Sequence, residues 1–408
     1  MLRRAASFRS TVFRLAVAQA LYLGGTAIAF AFSGIIGGRL APDPSLSTLP
    51  AALMTVATML TTIPASLLMG RFGRRIGFVA GAAAGSVGAG VAAWGIAQGS
   101  FALFCAGNAL LGTYQAFAMY YRFAAAEAAD ERGKGAQAVG WVLTGGIAAA
   151  LLGPSIGAWS RTAIPTVEFA GSYLAAVPLS LLALGVVATL ALAPPSASVT
   201  AGARRPLGLI ARQPVFIAAV VNAVVAYAVM SFVMTASPLA IVAAGHGVDA
   251  AASLTRWHLL GMFAPSFVTG KLVARIGPVS VLLAGGAVVL ASLFGALAGN
   301  SALHFNAALL VLGVGWNLLY VAATALLTQS YWPAERARVQ GLNEFLVFGG
   351  TAAASLAAGA VQTKLGWEIV TQSAAPLVIL AMGVTSWAAL HGRKRPAEAL
   401  DADRQQSS

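Results

Sequence analysis

Acidic side chains are scarce in this sequence: 12 Asp and Glu among 408 residues, against 25 Lys and Arg, with charge of either sign on only 9% of positions. Soluble domains carry about 25% charged residues, so this chain cannot clothe a globular surface in water. Cysteine is rarer still. The single Cys105 excludes a disulfide or a thiolate metal cluster within one chain. Four scattered histidines make no H-x-x-x-H pair, and Cys105 has no histidine near it in sequence. No metal, cofactor or enzymatic machinery is therefore expected.

What fills the chain instead is apolar. Hydrophobic residues make up 59% of it, glycine numbers 45, and the mean hydropathy is +0.81. A bilayer core needs roughly 20 apolar residues per helical pass, and twelve such runs are found near 12–36, 49–69, 77–97, 101–123, 137–159, 171–193, 213–240, 250–270, 279–298, 303–328, 340–362 and 369–390. The runs are continuous rather than alternating, so helices and not barrel strands must span the membrane. The expected fold is an all-α integral membrane protein with twelve transmembrane helices. The N-terminal apolar stretch runs on to about Ile36 with no short run ending in a small-residue cleavage site, so it reads as the first span rather than a secretory signal.

A net charge of +13 would suggest nucleic acid in a soluble protein, but its placement says otherwise. With the N-terminus in the cytoplasm, 21 of the 25 Lys and Arg fall on the cytoplasmic side, leaving Arg39, Arg161, Arg256 and Lys364. That asymmetry is the positive-inside rule over an even number of passes, with both termini cytoplasmic. No nucleic-acid partner is expected. The bilayer is the expected partner, and a bacterial inner membrane the expected location.

The stretch Gly70 to Gly77, GRFGRRIG, is echoed by GKLVARIG from Gly270 to Gly277, and ERGKG from Glu131 by ERARV from Glu335. Two echoes half a chain apart indicate a duplicated six-helix unit. The polar, Pro/Gly/Ser-rich stretch 194–212 then reads as a cytoplasmic linker. This gives a first bundle over 1–193, a second over 213–392, and a disordered tail over 393–408.

A loop after span two, repeated after span eight in a six-plus-six chain, resembles motif A of the major facilitator superfamily, G-x-L-x-D-R-x-G-R-R. GPSIG from Gly153 resembles that family's motif C, and NALLG from Asn108 occupies the place of motif B. The resemblance covers essentially the whole chain. It implies two bundles rocking about a midplane site, a protein that works as a monomer, and a cytoplasmic latch in the motif A loops. The latch would comprise Gly70, Arg71, Arg74, Arg75, Gly77, Gly270, Arg275 and Gly277, with Glu127 and Glu344 as acid partners. Setting Gly70 on the motif's first glycine puts Arg74 and Ala274 where the family has Asp, so Arg74 is expected to pair with Glu344 and Arg75 with Glu127. Only Glu344 enters a span among the acids, and Asn108 stands where proton-driven antiporters of the family carry arginine. Proton coupling finds no support in that pattern.

Substrate contacts must come from polar and aromatic residues on inward faces. Span one offers Gln19, Tyr22, Thr26 and Ser33 on one helical face. Span four offers Asn108 and Gln115, span seven Asn222 and Tyr227, and span ten Trp316, Asn317, Tyr320 and Thr324. Arg256 lies fourteen residues before Gly270, about 21 Å of helix, where it either contacts substrate, snorkels, or pairs with Asp249. His258 reads as structural, and Tyr120 and Tyr121 as members of an interfacial aromatic belt. A site rich in Trp, Tyr, Asn and Gln suits a planar solute that is neutral or mildly anionic. The segments GTYQAFAMYYRF and GVGWNLLYVAATALLTQSY are similar to a bacterial branch of the superfamily that includes flavin importers. That similarity implies import of riboflavin or a similar planar neutral metabolite. Export of drugs or other hydrophobic metabolites is the alternative, and a non-transporting membrane sensor or scaffold the alternative of a different class.

Overall fold

The computed structural model describes residues 2–43, 46, 49–129, 133–192, 205–246 and 248–391. Among them every regular element is a helix. The first half comprises α1 (Leu2–Leu40), α2 (Leu49–Phe72), α3 (Arg74–Ala97), α4 (Phe101–Ala118), α5 (Tyr121–Ala129), α6 (Gly135–Leu143), α7 (Gly145–Ser160) and α8 (Ala170–Ala188). A short α9 (Leu207–Ala211) precedes the second half: α10 (Pro214–Ala243), α11 (Val248–Phe263), α12 (Ser266–Ile276), α13 (Pro278–Leu297), α14 (Ala302–Leu327) and α15 (Arg336–His391).

Ten stretches of the described chain are long and apolar enough to cross a bilayer. The other two expected spans are present as helices with interruptions. The run 101–123 is divided into α4 and α5 at Met119 and Tyr120 and continues to Ala129. The run 340–362 is the first part of α15, which carries Arg336, Arg338 and Glu344 and breaks at Gly366, where φ is 82°. Pro265, which has no backbone N–H to give, separates α11 from α12.

Helices α1 to α8 pack among themselves, as do α10 to α15. Joined side by side, the halves touch through α2 with α15, α6 with α12 and α14, and α7 with α11. The expected tail over 393–408, most of the linker, and the Glu131–Arg132 echo lie outside the described residues, as does the side chain of Asp249.

The backbone corrects the register of the repeat. The tight turns after α2 and α12 are made by Gly73 (φ 92°) and Gly277 (φ 83°), a conformation that suits glycine and few other residues. These two glycines lie 204 residues apart, the same offset as Glu131 and Glu335. Gly73 is therefore the partner of Gly277, Ser66 of Gly270 and Arg71 of Arg275. The place of the motif's Asp falls on Gly70 in the first copy and Ala274 in the second, so Arg74 and Arg75 are the motif's closing arginines.

Candidate functional site

The centre of the molecule, where the halves meet, is built from aromatic rings. Tyr227 of α10 lies edge-on to both Trp316 (5.2 Å between ring centres) and Tyr320 (5.1 Å) of α14, and beside Phe348 of α15. Trp316 and Tyr320, one helical turn apart, stack at 4.7 Å. From the first half Tyr22 of α1 meets Tyr114 of α4 at 5.2 Å, and Tyr114 lies over Gly85, whose missing Cβ leaves room for the ring. Met119 Sδ, from the first half, sits 3.9 Å from the Tyr320 hydroxyl of the second.

Several polar atoms in this region are buried without a hydrogen-bond partner: the hydroxyls of Tyr22, Tyr114 and Tyr121, Trp316 Nε1, Asn222 Oδ1 and Glu344 Oε2. Each such atom costs free energy on the order of 1–3 kcal/mol, and native interiors hold few of them. Those of Tyr22, Tyr114, Trp316 and Glu344 lie at or beside these rings and the ion pair beneath them, while Tyr121 packs on Phe78 within the first half and Asn222 on Thr385 within the second.

Beneath the rings lies a buried ion pair that crosses the two halves. Arg122 of α5 donates from Nη2 to Glu344 Oε1 (2.5 Å), from Nε to Thr324 Oγ1 (3.1 Å) and from Nη1 to the Met119 carbonyl (2.7 Å). Its guanidinium also lies over the rings of Tyr320 and Phe123. Side-chain exposure is 3% for Arg122 and 1% for Glu344, so the pair is sealed from solvent. Asn343 Nδ2 donates to the same carboxylate oxygen.

A second layer closes the arginine-rich end. Arg74 grips Glu127 with two hydrogen bonds, Nε to Oε2 (2.9 Å) and Nη2 to Oε1 (2.5 Å), and its Nη2 also donates to Gln340 Oε1 across the halves. From α15, Arg336 donates to Glu127 Oε2 and Gln340 Nε2 to Glu127 Oε1. Ser66 donates to the Ala337 carbonyl at 2.6 Å. On the opposite flank Gly270 packs onto the backbone of Ala136 and Gln137, and Gly140 onto that of Ser266. Ser66 and Gly270 being repeat partners, the two closures are copies of one another. Polar and ring contacts described at the other end stay within one half, such as Arg39 and Arg161 with Glu168, or Trp367 with Ala296 and Phe305.

Several sequence expectations are overturned here. Arg74 pairs with Glu127, not Glu344, and Glu344 takes Arg122, a residue counted in the sequence among the cytoplasmic charges at the end of span four. Arg75, Arg71 and Arg275 are exposed. Arg75 does not reach Glu127, because the first arginine after Gly73 faces inward and the second faces out. Arg256 is exposed alongside Trp257, outside the ring cluster. Tyr120 and Tyr121 are fully buried instead of forming a belt: the Tyr120 hydroxyl donates to the Thr62 carbonyl, and Tyr121 packs on Phe78.

The three asparagines act as ties between helices. Asn108 shares its carbonyl oxygen with Ser33 and Tyr173, all inside the first half. Asn317 donates to the Met262 carbonyl and Ser266 Oγ and accepts from Thr269, satisfying polar groups at the kink around Pro265. Asn222 donates to Thr385 and keeps one unpartnered oxygen. Buried Gln19, Tyr22 and Thr26 share one face of α1, with Thr26 and Gln115 beside the Tyr22 hydroxyl. Gly70 lies against Ala337, and Gly77 under Met69 and Phe117. Sequence reasoning missed Arg122, Phe348, Arg336 and Gln340 as members of this region, and it gave Tyr121 a different place.

The family model of the Major Facilitator Superfamily matches residues 15–331 and 221–407. Among curated proteins, the chain is 42% identical over 383 residues, 93% of its length, to the riboflavin transporter RfnT of Brucella anthropi, covering 95% of that protein. It is 27% identical to the uncharacterised MFS-type transporter YddS of Bacillus subtilis, over 86% of this chain and 85% of that one. Among solved structures, the human organic anion transporter MFSD10 and the fucose:proton symporter FucP of E. coli each share the fold at a TM-score of 0.70 and 14% identity. They cover 93% and 94% of this chain, and 99% of their own.

Proposed function

This chain belongs to the Major Facilitator Superfamily, and from that premise we propose that it carries riboflavin, or a planar neutral solute close to it, into the cell by alternating access. It is a secondary transporter with many membrane-spanning helices, not an enzyme. The observation that carries the substrate is the 42% identity, held over 93% of the chain, to a protein named as a riboflavin transporter. The site suits that solute. Tyr227, Trp316 and Tyr320 offer faces against which a flat ring system can stack, and the unpartnered oxygens and N–H around them can meet ring carbonyls and side-chain hydroxyls.

The proposed substrate contacts are Tyr22, Gln115, Tyr227, Trp316 and Tyr320, joined by Tyr114 and Tyr121, with Gln19, Thr26 and Asn222 behind them. Asn108, Asn317 and Arg256 are left out for the reasons given above. The Arg122–Glu344 pair is the inner gate, and the Arg74, Glu127, Arg336 and Gln340 cluster the outer latch on the same side. The arginine-rich end is taken as cytoplasmic, in a bacterial inner membrane, on the asymmetry of Lys and Arg. In that orientation the described state is shut to the cytoplasm. Residues 1–193 and 213–392 move as the two rigid units of a monomer about the linker 194–212. The test is growth: a bacterial strain that can neither make nor import riboflavin, given this protein, is expected to grow at riboflavin concentrations that leave vector controls starved. Growth equal to vector, with the protein in the membrane, would refute import, and a raised tolerance of hydrophobic compounds in that strain would point to export.

A further inference from the structure

We propose that Glu344 is a charge filter: by neutralising Arg122 it makes the central site accept a neutral flavin and reject its phosphate ester. The inference rests on the flavin reading above and adds to it a rule of selection. Arg122 is, among the described residues, the cation that touches the ring cluster, lying over Tyr320, which stacks on Trp316. Left alone it would be an anion-binding group at the floor of the site, because a guanidinium offers a planar fork suited to phosphate oxygens.

The geometry removes that option. Three of its five N–H groups are engaged, one on each nitrogen, Nε to Thr324, Nη1 to the Met119 carbonyl and Nη2 to Glu344 Oε1, and its planar faces lie over the Tyr320 and Phe123 rings. The positive charge is matched by a carboxylate that is itself held by Asn343. The second carboxylate oxygen, Glu344 Oε2, is buried with no partner. It can accept from a hydroxyl or a ring N–H, and it repels an anion. The other unpartnered groups of the region are tyrosine hydroxyls, an indole N–H and an amide oxygen, all neutral. The next charges along, Arg74, Glu127 and Arg336, belong to the latch, and the buried Tyr120 stands between them and the pair.

A flavin with free hydroxyls thus finds donors and acceptors throughout. Its phosphate ester, carrying about −1.5 to −2 charge at neutral pH, would have to shed its water beside an unpaired carboxylate oxygen with no free cation to receive it. The selection therefore lies in a charge already cancelled within the wall of the site, in the manner of negative selection against the wrong partner.

The experiment titrates purified full-length protein with riboflavin and, separately, with flavin mononucleotide, following the quenching of flavin fluorescence. Wild type is expected to bind the phosphate ester on the order of 100-fold more weakly than riboflavin. Glu344→Gln, which keeps the shape and frees the Arg122 charge, is expected to narrow that gap to about tenfold or less by tightening the ester. Arg122→Gln combined with Glu344→Gln removes both charges and is expected to bring the rejection back. Equal binding of the two flavins by wild type, or an unchanged ratio in Glu344→Gln, would overturn the proposal. Binding of neither flavin by wild type would overturn the flavin reading and this inference with it. Equal binding of the two flavins by wild type overturns the proposal without any variant, and the double variant, which leaves no unpaired buried charge, serves where Glu344→Gln does not fold.

Discussion

At the scale of single residues, Arg122 organises the site and is the residue least visible in the sequence. It follows AMYY at the expected end of span four and counts among the cytoplasmic charges, so the letters do not mark it as buried. In fact the helix resumes at Tyr121 and runs to Ala129, which puts Arg122 seven residues from its end, about 10 Å of helix. The apolar continuation FAAA was the available signal. Glu344 was visible as the one acid inside a span, but its partner is set by how two halves meet, which no local pattern encodes. Breaking such a pair leaves an unpaired buried charge, at a cost of about 3–5 kcal/mol. Glu344→Ala is therefore expected to lower the thermal midpoint of the detergent-purified protein clearly, and the double replacement Arg122→Leu with Glu344→Leu to recover much of the loss. Equal midpoints for Glu344→Ala and wild type would argue against a structural ion pair. At the latch, Arg74→Glu and Glu127→Arg are each expected to reduce transport several-fold. Their combination should restore part of it, unless Arg336 and Gln340 hold the latch by themselves.

At the scale of elements, the helices were legible because their apolar runs are long, and the interruptions were not. The break within span four at Met119, the Pro265 kink and the break of α15 at Gly366 all depend on which backbone groups a neighbouring helix satisfies. The repeat was legible in its existence and wrong in its register. Letters alone favour pairing Gly70 with Gly270, whereas a positive φ identifies Gly73 and Gly277 as equivalents. The close approach of α12 to α6 at Gly270 yields a prediction: Gly270→Leu would drive a side chain into the Ala136–Gln137 backbone. Transport is expected to fall by about tenfold or more while the protein still reaches the membrane, because closure of the arginine-rich end needs that contact. Wild-type uptake by the variant would show that the contact is dispensable.

The linker supplies another. Arg205 docks on the buried Glu335 with its backbone N–H, Nε and Nη2, and its guanidinium lies over Trp332. Hydrogen bonds from Arg205, aided by the Trp332 backbone N–H, hold the Glu335 carboxyl down at about 2, below its usual range, against the opposing effect of burial. A carboxyl depressed in the folded state stabilises that state fully above its unfolded pKa, near 4.3, and the contribution is lost as pH falls towards about 2. The difference in thermal midpoint between wild type and Arg205→Ala should therefore be constant above about pH 5 and shrink in more acid solution. A difference that stays the same down to pH 3 would contradict the assignment.

At the scale of the molecule, the ion pairs described between the two halves lie towards the arginine-rich end, and close helix packing runs from there to the middle of α2 and α15, with the ring cluster beside it. This is the arrangement an alternating-access carrier needs in one of its end states. Cys105 is buried, so with Cys105→Ser as background, cysteines at Ser66 and Ala337 can test the seal. Oxygen to oxygen the native contact is 2.6 Å. A short bifunctional thiol reagent should join the pair in the absence of substrate and abolish uptake until cleaved.

The most direct test of the whole account is the initial rate of labelled riboflavin entry into proteoliposomes holding the purified protein, compared with Trp316→Ala and with protein-free vesicles. The account predicts saturable entry by wild type and a loss of roughly 10-fold or more in kcat/KM for Trp316→Ala, the scale of about 1.4 kcal/mol expected from one stacked ring. Entry no faster than into protein-free vesicles, or equal rates in wild type and Trp316→Ala, would contradict it.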